Sequence, residues 1–505
     1  MTVNRNLLLG LDIGTGSCKL QIIDTAGEHV KSDSATYPTY YPRAQWVEQD
    51  PRSWWNTVAQ LLRRCKSSLR NVECVALSSQ METVVPVDEN GKALGRAILW
   101  SDQRSQTESK IIEKKVGERL AHRITGCRTD PMHSGPKMLW IKKNQAKRFQ
   151  KTFKFLTPKD FLNHQLTGEF VADYSTASSS LLFDVARKTW SKEILTRIEL
   201  PLEKLPDVRP SSSIVGEVTD KAAKLTGLRS GTPVAAGGGD TPCTALGCGV
   251  FEPNQGLIYL GSSASLYSMI PKPVTDPGMR LITRCHVVDG IWTVGGGMTT
   301  AGSCIAWLRD LISNANKREE TVNQLLKEAS RIEPGSNGLL FIPNMMGERN
   351  PHYHPNSTGA FLGLTLSHTQ SHIANAILEG IGMQLNSILE AMKEACVAPA
   401  TLTATGGGMN YPHWLQIISD IFRTKLAIPT VVSPEALGAA LLAGIGIGKI
   451  KDLRKLTHRI IDNRKFVTPR EHASSIYEEM AQTYNAALKG LQLDELRSSI
   501  RFLSK

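Results

Sequence analysis

Residues 7–24 read LLLGLDIGTGSCKLQIID, and residues 256–270 read GLIYLGSSASLYSMI. Each stretch consists of an apolar run, a short turn of glycine and hydroxyl residues, and a second run of strand-forming residues. Two such runs around a glycine turn predict a β-hairpin. Because the same form recurs about 250 residues later, the sequence predicts two halves that each open with a hairpin.

Strand and helix patterns alternate around these hairpins. VECVAL (residues 72–77) predicts a buried strand, and residues 53–65 and 105–116 have the apolar spacing of amphipathic helices. Alternation of this kind predicts an α/β protein. A chain of 505 residues is too long for one core, so we expect two domains, residues 1–252 and 253–505.

The composition is that of a globular protein, with 41% hydrophobic and 21% charged residues. No apolar run approaches the ~20 residues of a membrane span, and the first residues lack the long apolar segment of a signal peptide. The nine cysteines are scattered and form no C-x-x-C pair, which indicates reduced core thiols. We therefore expect a cytoplasmic protein without a membrane partner.

The net charge of +12 is concentrated in residues 110–154 and 449–465. Nucleic-acid binding is one interpretation, and solvated helix faces are the other. These runs lack interleaved aromatic residues and match no nucleic-acid module, so we expect no nucleic-acid partner. A positive field would also attract a polyanionic substrate such as a nucleotide.

The turn of the first hairpin has the composition of an anion site. Glycines let backbone N–H groups approach a phosphate, and hydroxyl groups add donors. The spacing fits neither a P-loop nor a dinucleotide fingerprint, and an ordinary hairpin is the alternative. Asp12 ends the first apolar strand, and a buried carboxylate needs a partner such as Mg²⁺ shared with phosphates. The candidate phosphate-binding residues are Gly14, Thr15, Gly16, Ser17 and Lys19.

Two further turns have related chemistry. The second hairpin turns at Gly261, Ser262 and Ser263, and could hold phosphates from the other side. TATGGGMN ends a predicted strand and precedes a helical pattern, which suits either a nucleoside that approaches closely or a tight strand–helix turn. Its candidate residues are Gly406, Gly407, Gly408, Met409 and Asn410.

The stretch AAGGGDTPCTALGCG, residues 235–249, surrounds a single acid, Asp240, with glycines and small residues. Asp240 either begins a helix after a turn, or is a base that a substrate approaches closely. The pattern alone leaves both interpretations open.

Together these motifs resemble the FGGY carbohydrate kinase family, and within it the xylulose kinases. PMHSGPKMLWIKKNQ (131–145) and GAFLGLTLSHTQSHIANAILE (359–379) have the spacing of the two family signatures, and residues 341–364 resemble the stretch by which the family is known. The resemblance extends from Leu7 to Lys449. It implies an actin-like ATPase fold, with two ribonuclease-H-like domains and a catalytic cleft between them.

The resemblance also implies roles for the candidate residues. Asp240 would be the catalytic base and contact the substrate, and Asp12 and Asp240 would hold Mg²⁺. The first hairpin and Gly261–Ser263 would bind the phosphates of ATP, and residues 406–410 would contact the adenosine.

The sugar pocket departs from the family pattern. Xylulose kinases read Gln-Met-His-Gly where this chain has Gln80, Met81, Glu82 and Thr83. A carboxylate only accepts hydrogen bonds, whereas a histidine can also donate. We expect the pocket to be formed by Gln80, Met81, Glu82, Trp100, Asp102 and Arg104. His133 could contact sugar or be a satisfied structural histidine.

The resemblance implies an ATP-dependent kinase that moves the γ-phosphate of MgATP onto a hydroxyl of a small ketose or polyol, such as the pentulose xylulose. Alternative acceptors are L-xylulose, ribulose, erythritol, glycerol and gluconate. In another class, the fold would also suit an actin- or chaperone-like ATP-dependent switch protein. A homodimer is a further expectation.

Overall fold

Both predicted hairpins form in the computed structural model, which describes residues 6–312 and 318–491. Leu7–Ile13 pairs antiparallel with Ser17–Asp24, and Gln255–Leu260 pairs antiparallel with Ala264–Ile270. The turns between them are the predicted glycine and hydroxyl residues. The helices predicted in residues 53–65 and 105–116 also form, within one or two residues at each end.

The strands of residues 6–252 are β1 (Leu7–Ile13), β2 (Ser17–Asp24), β3 (His29–Thr36), β4 (Glu48–Gln49), β5 (Val72–Ser79), β6 (Val85–Val87), β7 (Ala97–Ile98), β8 (Lys154–Leu156), β9 (Val171–Asp173), β10 (Phe183–Asp184), β11 (Thr189–Trp190), β12 (Asp207–Arg209), β13 (Ile214–Glu217), β14 (Pro233–Ala235) and β15 (Gly238–Gly239). The helices are α1 (Pro51–Arg64), α2 (Lys66–Leu69), α3 (Gln106–Val116), α4 (Glu118–Thr125), α5 (Ser134–Asn144), α6 (Ala146–Lys151), α7 (Pro158–Thr167), α8 (Tyr174–Ala177), α9 (Lys192–Ile198), α10 (Asp220–Thr226) and α11 (Asp240–Gly247).

The strands of the second half are β16 (Gln255–Leu260), β17 (Ala264–Ile270), β18 (Ile282–Cys285), β19 (Trp292–Met298), β20 (Leu340–Ile342), β21 (Ala360–Leu362), β22 (Thr401–Thr405), β23 (Leu426–Ile428) and β24 (Lys465–Val467). The helices are α12 (Gly302–Ile312), α13 (Arg318–Ala329), α14 (Gln370–Glu394), α15 (Pro412–Phe422), α16 (Pro434–Gly446), α17 (Leu453–Ile460) and α18 (Glu471–Leu491). Short 3₁₀ turns lie at Leu202–Lys204, Ser336–Gly338 and Gly407–Asn410.

Capping residues explain where several helices begin. Asp50 accepts a hydrogen bond from the backbone N–H of Arg52, and Pro51 occupies the first position of α1. Thr157 and Asp160 form a reciprocal capping box at the start of α7.

Two mixed sheets have the same internal order. The first runs β3-β2-β1-β5-β14-β13, with β15 also paired to β5. The second, written in the corresponding direction, runs β18-β19-β17-β16-β22-β23-β24. In each sheet, the first strand of the hairpin also pairs with a parallel strand: β1 pairs with β5, and β16 pairs with β22. This repetition confirms the predicted α/β class and the predicted recurrence of the hairpin. The division at residues 252 and 253 stays a prediction.

A helix from the second half packs on the first sheet. Helix α16 lies against β1, β2 and β5, and also against α11. Its small residues make this possible: a Cβ atom at Gly438 would lie 2.0 Å from the carbonyl oxygen of Cys243, and one at Gly10 would lie 1.9 Å from that of Ala436. Backbone therefore contacts backbone where the two halves meet.

Burial bears out the prediction for most of the cysteines. Within the described residues, every cysteine is free, and all are buried except Cys396, which is exposed. In the same part of the chain, no helix is both long enough and apolar enough to cross a bilayer.

We expect Gly438→Ala to destabilise the protein by at least ~2 kcal/mol, because the new methyl group would overlap a backbone oxygen that cannot rotate away. Urea denaturation of the full chain measures this. The matched control is Gly490→Ala in α18, where a Cβ atom would meet nothing within 4 Å, so the variant should be stabilised by ~0.5–1 kcal/mol. Equal effects of the two substitutions would contradict the packing argument.

Candidate active site

The candidate residues of the first half converge at one edge of the first sheet. Strands β1, β5 and β15 are parallel, with Asp12 beside Ser78, and Gly238 also beside Ser78. The candidate residues lie at or just beyond the carboxyl ends of these three strands: Asp12, residues 80–82 and Asp240. Ligands of open α/β sheets bind at such an edge.

Asp240 is the first residue of α11, and its Oδ1 accepts a hydrogen bond of 2.7 Å from the backbone N–H of Thr241. Burial raises the pKa of the Asp240 carboxyl to about 7, and the negative charges of Glu82 and Glu435 add to the effect. A carboxylate with a pKa near neutrality is well matched to accept a proton in a reaction at physiological pH.

The structure confirms that Asp240 begins a helix after a glycine turn, and the packing around the turn explains the glycines. Gly237 has a φ of +74°, and a Cβ atom there would lie 1.9 Å from the carbonyl oxygen of Leu77. A Cβ atom at Gly239 would lie 2.6 Å from the sulfur of Met81. Because Gly237 and Gly239 have no side chains, atoms of β5 and Met81 can pack directly against them. This close packing brings Asp240 to the sheet edge.

Asp12 belongs to a cluster with Lys19 and Glu435, and Glu435 is a residue that the sequence reasoning missed. Asp12 Oδ1 accepts a hydrogen bond of 2.9 Å from Ser78, and Lys19 Nζ lies 3.2 Å from Glu435 Oε1. Burial, followed by the charge of Glu435, raises the pKa of Asp12 to about 8. Glu435 is the second residue of α16, so this helix brings a carboxylate of the second half to the site.

The oxygen atoms of this cluster suit a hard cation. The Oε2 atom of Glu435 is buried and has no hydrogen-bond partner, and burial, followed by the charges of neighbouring carboxylates, raises the pKa values of Asp12 and Asp240. No group of three His, Cys, Asp or Glu side chains in residues 6–312 and 318–491 is arranged to hold a metal. Mg²⁺ is often held by one or two carboxylates together with substrate phosphates, and Asp12 and Asp240 fit that pattern.

Protein donors hold the carbonyl groups of the first turn. The Tyr37 hydroxyl donates to the carbonyl oxygens of Gly14 and Ser17, and the Gln49 amide donates to that of Thr15. Thr15 and Gly16 are exposed, and a Cβ atom at Gly16 would meet nothing within 4 Å. With its carbonyl groups engaged, the turn can offer N–H and hydroxyl groups to an anion.

The second turn is held in a comparable way. The carbonyl oxygen of Gly261 accepts from the N–H of Gly302 at 2.9 Å, and that of Ser262 accepts from Ala301 at 2.8 Å. Tyr259 precedes the turn; burial raises the pKa of its hydroxyl, and the carboxylates of Glu435 and Asp240 raise it further. The second hairpin therefore approaches the carboxylate cluster of the first half.

The third glycine turn adjoins the second hairpin, because β22 pairs with β16. Gly406 has a φ of +98°, and a Cβ atom there would lie 2.4 Å from the carbonyl oxygen of Leu260, whereas one at Gly407 would meet nothing within 4 Å. Met409 packs partly into the core, and Asn410 is exposed. Gly407 and Asn410 thus border open space beside the second turn.

The predicted sugar-pocket residues divide into two groups. Trp100 Nε1 donates to the Thr15 hydroxyl at 3.0 Å, and Gln80 Nε2 donates to the carbonyl oxygen of Gly14 at 3.5 Å, so both are tied to the first hairpin. Asp102 is inaccessible to solvent and is held by Arg104, with Nη2 to Oδ2 at 2.7 Å. We therefore expect Asp102 and Arg104 to shape the pocket through the Trp100 segment and not to touch a sugar.

Glu82 is paired with a residue that the sequence analysis did not consider. Its Oε1 lies 2.8 Å from Nη2 of Arg284 in β18. Lys137 is fully buried, and its Nζ donates to the carbonyl oxygens of Glu82 at 3.1 Å and of Met132. Burial lowers the pKa of Lys137 to about 7.

The environment of His133 favours the structural interpretation. The side chain is buried, and Nδ1 lies 2.7 Å from the carbonyl oxygen of Ser179. Burial lowers the pKa of His133 to about 3, so the ring is neutral at physiological pH.

Known proteins are similar to this chain over nearly its whole length. The model of the N-terminal domain of the FGGY family of carbohydrate kinases matches residues 7–247, and that of the C-terminal domain matches residues 256–447. A xylulose kinase of Staphylococcus epidermidis is 32% identical, with 96% of this chain and 97% of that protein covered. A gluconokinase of Bacillus subtilis is 30% identical, with 94% of each chain covered.

Among solved structures, a xylulose kinase from Rhodospirillum rubrum superposes with a TM-score of 0.88 at 26% identity, over 96% of this chain and 99% of that one. This agreement, together with the two matched sheets, confirms the predicted actin-like two-domain fold.

We expect Asp12→Asn to stabilise the ligand-free protein at pH 8. The pKa of Asp12 is about 8 in the folded protein against 3.8 ordinarily, so the wild type loses folding free energy as the pH rises from about 4 to about 8. An asparagine keeps an oxygen for Ser78 and carries no charge. Urea denaturation across a pH series should show the advantage of the variant growing over this interval.

The control for this prediction is Asp50→Asn at the start of α1. Hydrogen bonding to Arg52 lowers the pKa of Asp50, so its contribution to stability is present above pH ~4 and is lost as the pH falls. This variant should be less stable than the wild type at pH 8. An advantage of Asp12→Asn that does not change with pH would contradict the assignment.

Proposed function

The chain belongs to the FGGY family of carbohydrate kinases, and we propose that it transfers the γ-phosphate of MgATP to a hydroxyl of a small ketose or polyol, with a pentulose such as xylulose as the preferred acceptor. One observation carries the proposal. Asp240, with a pKa near 7, lies close enough to Asp12 and Tyr259 for their charges to interact, and these two residues belong to the two glycine hairpins. A proton acceptor and two candidate phosphate sites are thereby in one place.

The proposed reaction needs few covalent steps from the protein. Asp240 accepts the proton of the acceptor hydroxyl while the bond from that oxygen to the γ-phosphorus forms and the bond to the leaving ADP oxygen breaks. The N–H and hydroxyl groups of the turns at residues 14–17 and 261–263 orient the phosphates, and Gly407 and Asn410, which border open space, contact the adenosine. When bound at Asp12 and Asp240, Mg²⁺ would supply neutralisation of phosphate charge.

Electrostatics support a neutral acceptor over gluconate. Burial is the largest cause of the raised pKa of Asp240, and repulsion by Glu82 is the next; an acceptor carboxylate placed between the two acids would be repelled in the same way. Relatives of both kinds, xylulose kinase and gluconokinase, resemble this chain to a similar degree, so the family relationship alone does not choose between them.

A coupled ADP-release assay tests the proposal over D-xylulose, L-xylulose, ribulose, erythritol, glycerol and gluconate. We expect ADP release to depend on the acceptor and to be fastest with a pentulose. Release at the same rate without any sugar, together with polymerisation, would instead favour a nucleotide-driven switch. Preference for gluconate would overturn the electrostatic argument and leave the kinase activity standing.

The role of Asp240 predicts a pH dependence. Because Asp240 must be ionised to accept a proton, kcat/KM should fall on the acid side with an apparent pKa of about 7. Asp240→Asn should lower kcat by ~10²-fold or more, since this is the contribution of a positioned base, and its thermal stability should be retained. The control is Asp207→Asn, at an exposed position in β12, with unchanged kcat. Near-normal turnover of Asp240→Asn would remove this residue from the mechanism.

A further inference from the structure

An ion pair joins the two halves of the chain at the acceptor pocket. Glu82 follows β5 of the first sheet, and Arg284 belongs to β18 of the second. The atoms Oε1 and Nη2 are 2.8 Å apart, and only 6% and 10% of the two side chains are exposed. Both charges are thus almost entirely removed from water.

The backbone at Glu82 is held in an uncommon conformation. Its φ is +55°, in the left-handed region that residues other than glycine seldom adopt. The carbonyl group of Glu82 accepts a hydrogen bond from the fully buried Lys137, which holds the conformation in place. Backbone strain of this kind is found at ligand sites, where the surrounding structure maintains it.

The pair is incompletely hydrogen-bonded. Glu82 Oε1 and the Nε and Nη2 atoms of Arg284 are buried, and none of the three has a hydrogen-bond partner of acceptable geometry. The two charges attract each other, but the hydrogen-bonding capacity of these three atoms is unused. Buried, unsatisfied groups of this kind carry a large desolvation cost, and a ligand is one of the recognised reasons for them.

We propose that Arg284 is a specificity-determining residue, supplied by the second half, which together with Glu82 binds two adjacent oxygens of a neutral polyhydroxy acceptor. A hydroxyl of the acceptor donates to Glu82, and the neighbouring hydroxyl or carbonyl oxygen accepts from Arg284. This inference rests on the proposed function. It means that the acceptor bridges the two halves and that Glu82 alone does not select it.

A purely structural ion pair would have a different consequence. Removing Arg284 alone leaves Glu82 buried and unpaired, which destabilises the protein whatever the role of the pair. Replacing both charges with neutral groups relieves that penalty. The double variant Glu82→Gln, Arg284→Met therefore separates the two roles, because it can regain stability without regaining the acceptor contacts.

The experiment uses the full chain with D-xylulose and ATP as probes, and compares Arg284→Met, Glu82→Gln and the double variant with the wild type. We expect Arg284→Met to raise the KM for D-xylulose by ~10-fold or more, as the loss of a hydrogen bond to a charged group predicts. The KM for ATP should change by less than about twofold. The double variant should recover thermal stability and keep the raised KM for D-xylulose.

The control is Arg470→Met, which breaks the pair of 2.7 Å between Arg470, the residue before α18, and the buried Asp420 of α15. It should lower thermal stability and leave both KM values unchanged. A double variant with wild-type stability and a wild-type KM for D-xylulose would overturn the inference and reduce the pair to a structural role.

A second measurement distinguishes failure of this inference from failure of the proposed function. D-xylulose should raise the Tm of the wild type, as a ligand that binds only the folded state does, and should not raise that of the double variant. If the wild type is stabilised by D-xylulose and releases no ADP, the kinase proposal fails and the Tm comparison still decides the role of Arg284. If D-xylulose stabilises the double variant as much as the wild type, the inference on Arg284 fails.

Discussion

The close contact of α16 with α11 and β1 is the constraint on which the site depends. At Gly438 and Gly10 the approach leaves no room for a side chain, so two helix starts and one strand end are brought together. Asp240 begins α11, Glu435 is the second residue of α16, and Asp12 lies near the end of β1. Three carboxylates, of which Asp12 is buried and the other two are half-buried, therefore lie in the same region, which is unfavourable for folding unless cations neutralise them.

The repulsion between these carboxylates also affects the chemical properties of the site. Burial and mutual repulsion raise the pKa values of Asp12 and Asp240 toward and beyond neutrality. Perturbed pKa values of this kind are typical of functional sites, where a group is matched to proton transfer at physiological pH. The negative charges gathered at this site destabilise the folded protein, and a ligand that brings a cation would restore the lost stability.

Local patterns predicted the two hairpins and the α/β class well. Glycine turns between apolar runs specify hairpins from neighbouring residues alone, and both hairpins form where they were expected. The acid Asp240 was identified because its neighbours are glycines. The packing reason for those glycines was not predictable from the sequence, since Gly237 and Gly239 accommodate Leu77 and Met81, which lie about 160 residues away in sequence.

The sequence by itself determined the α/β class, the repeated hairpin and the candidate acids, because these depend on residue spacing and on composition within short windows. Only the tertiary structure decided which distant groups meet: Glu435 with Lys19, and Arg284 with Glu82. It also showed that Asp102 and Arg104 satisfy each other. Charge pairing depends on distances of a few ångström across packed elements, and no pattern along a single chain contains those distances.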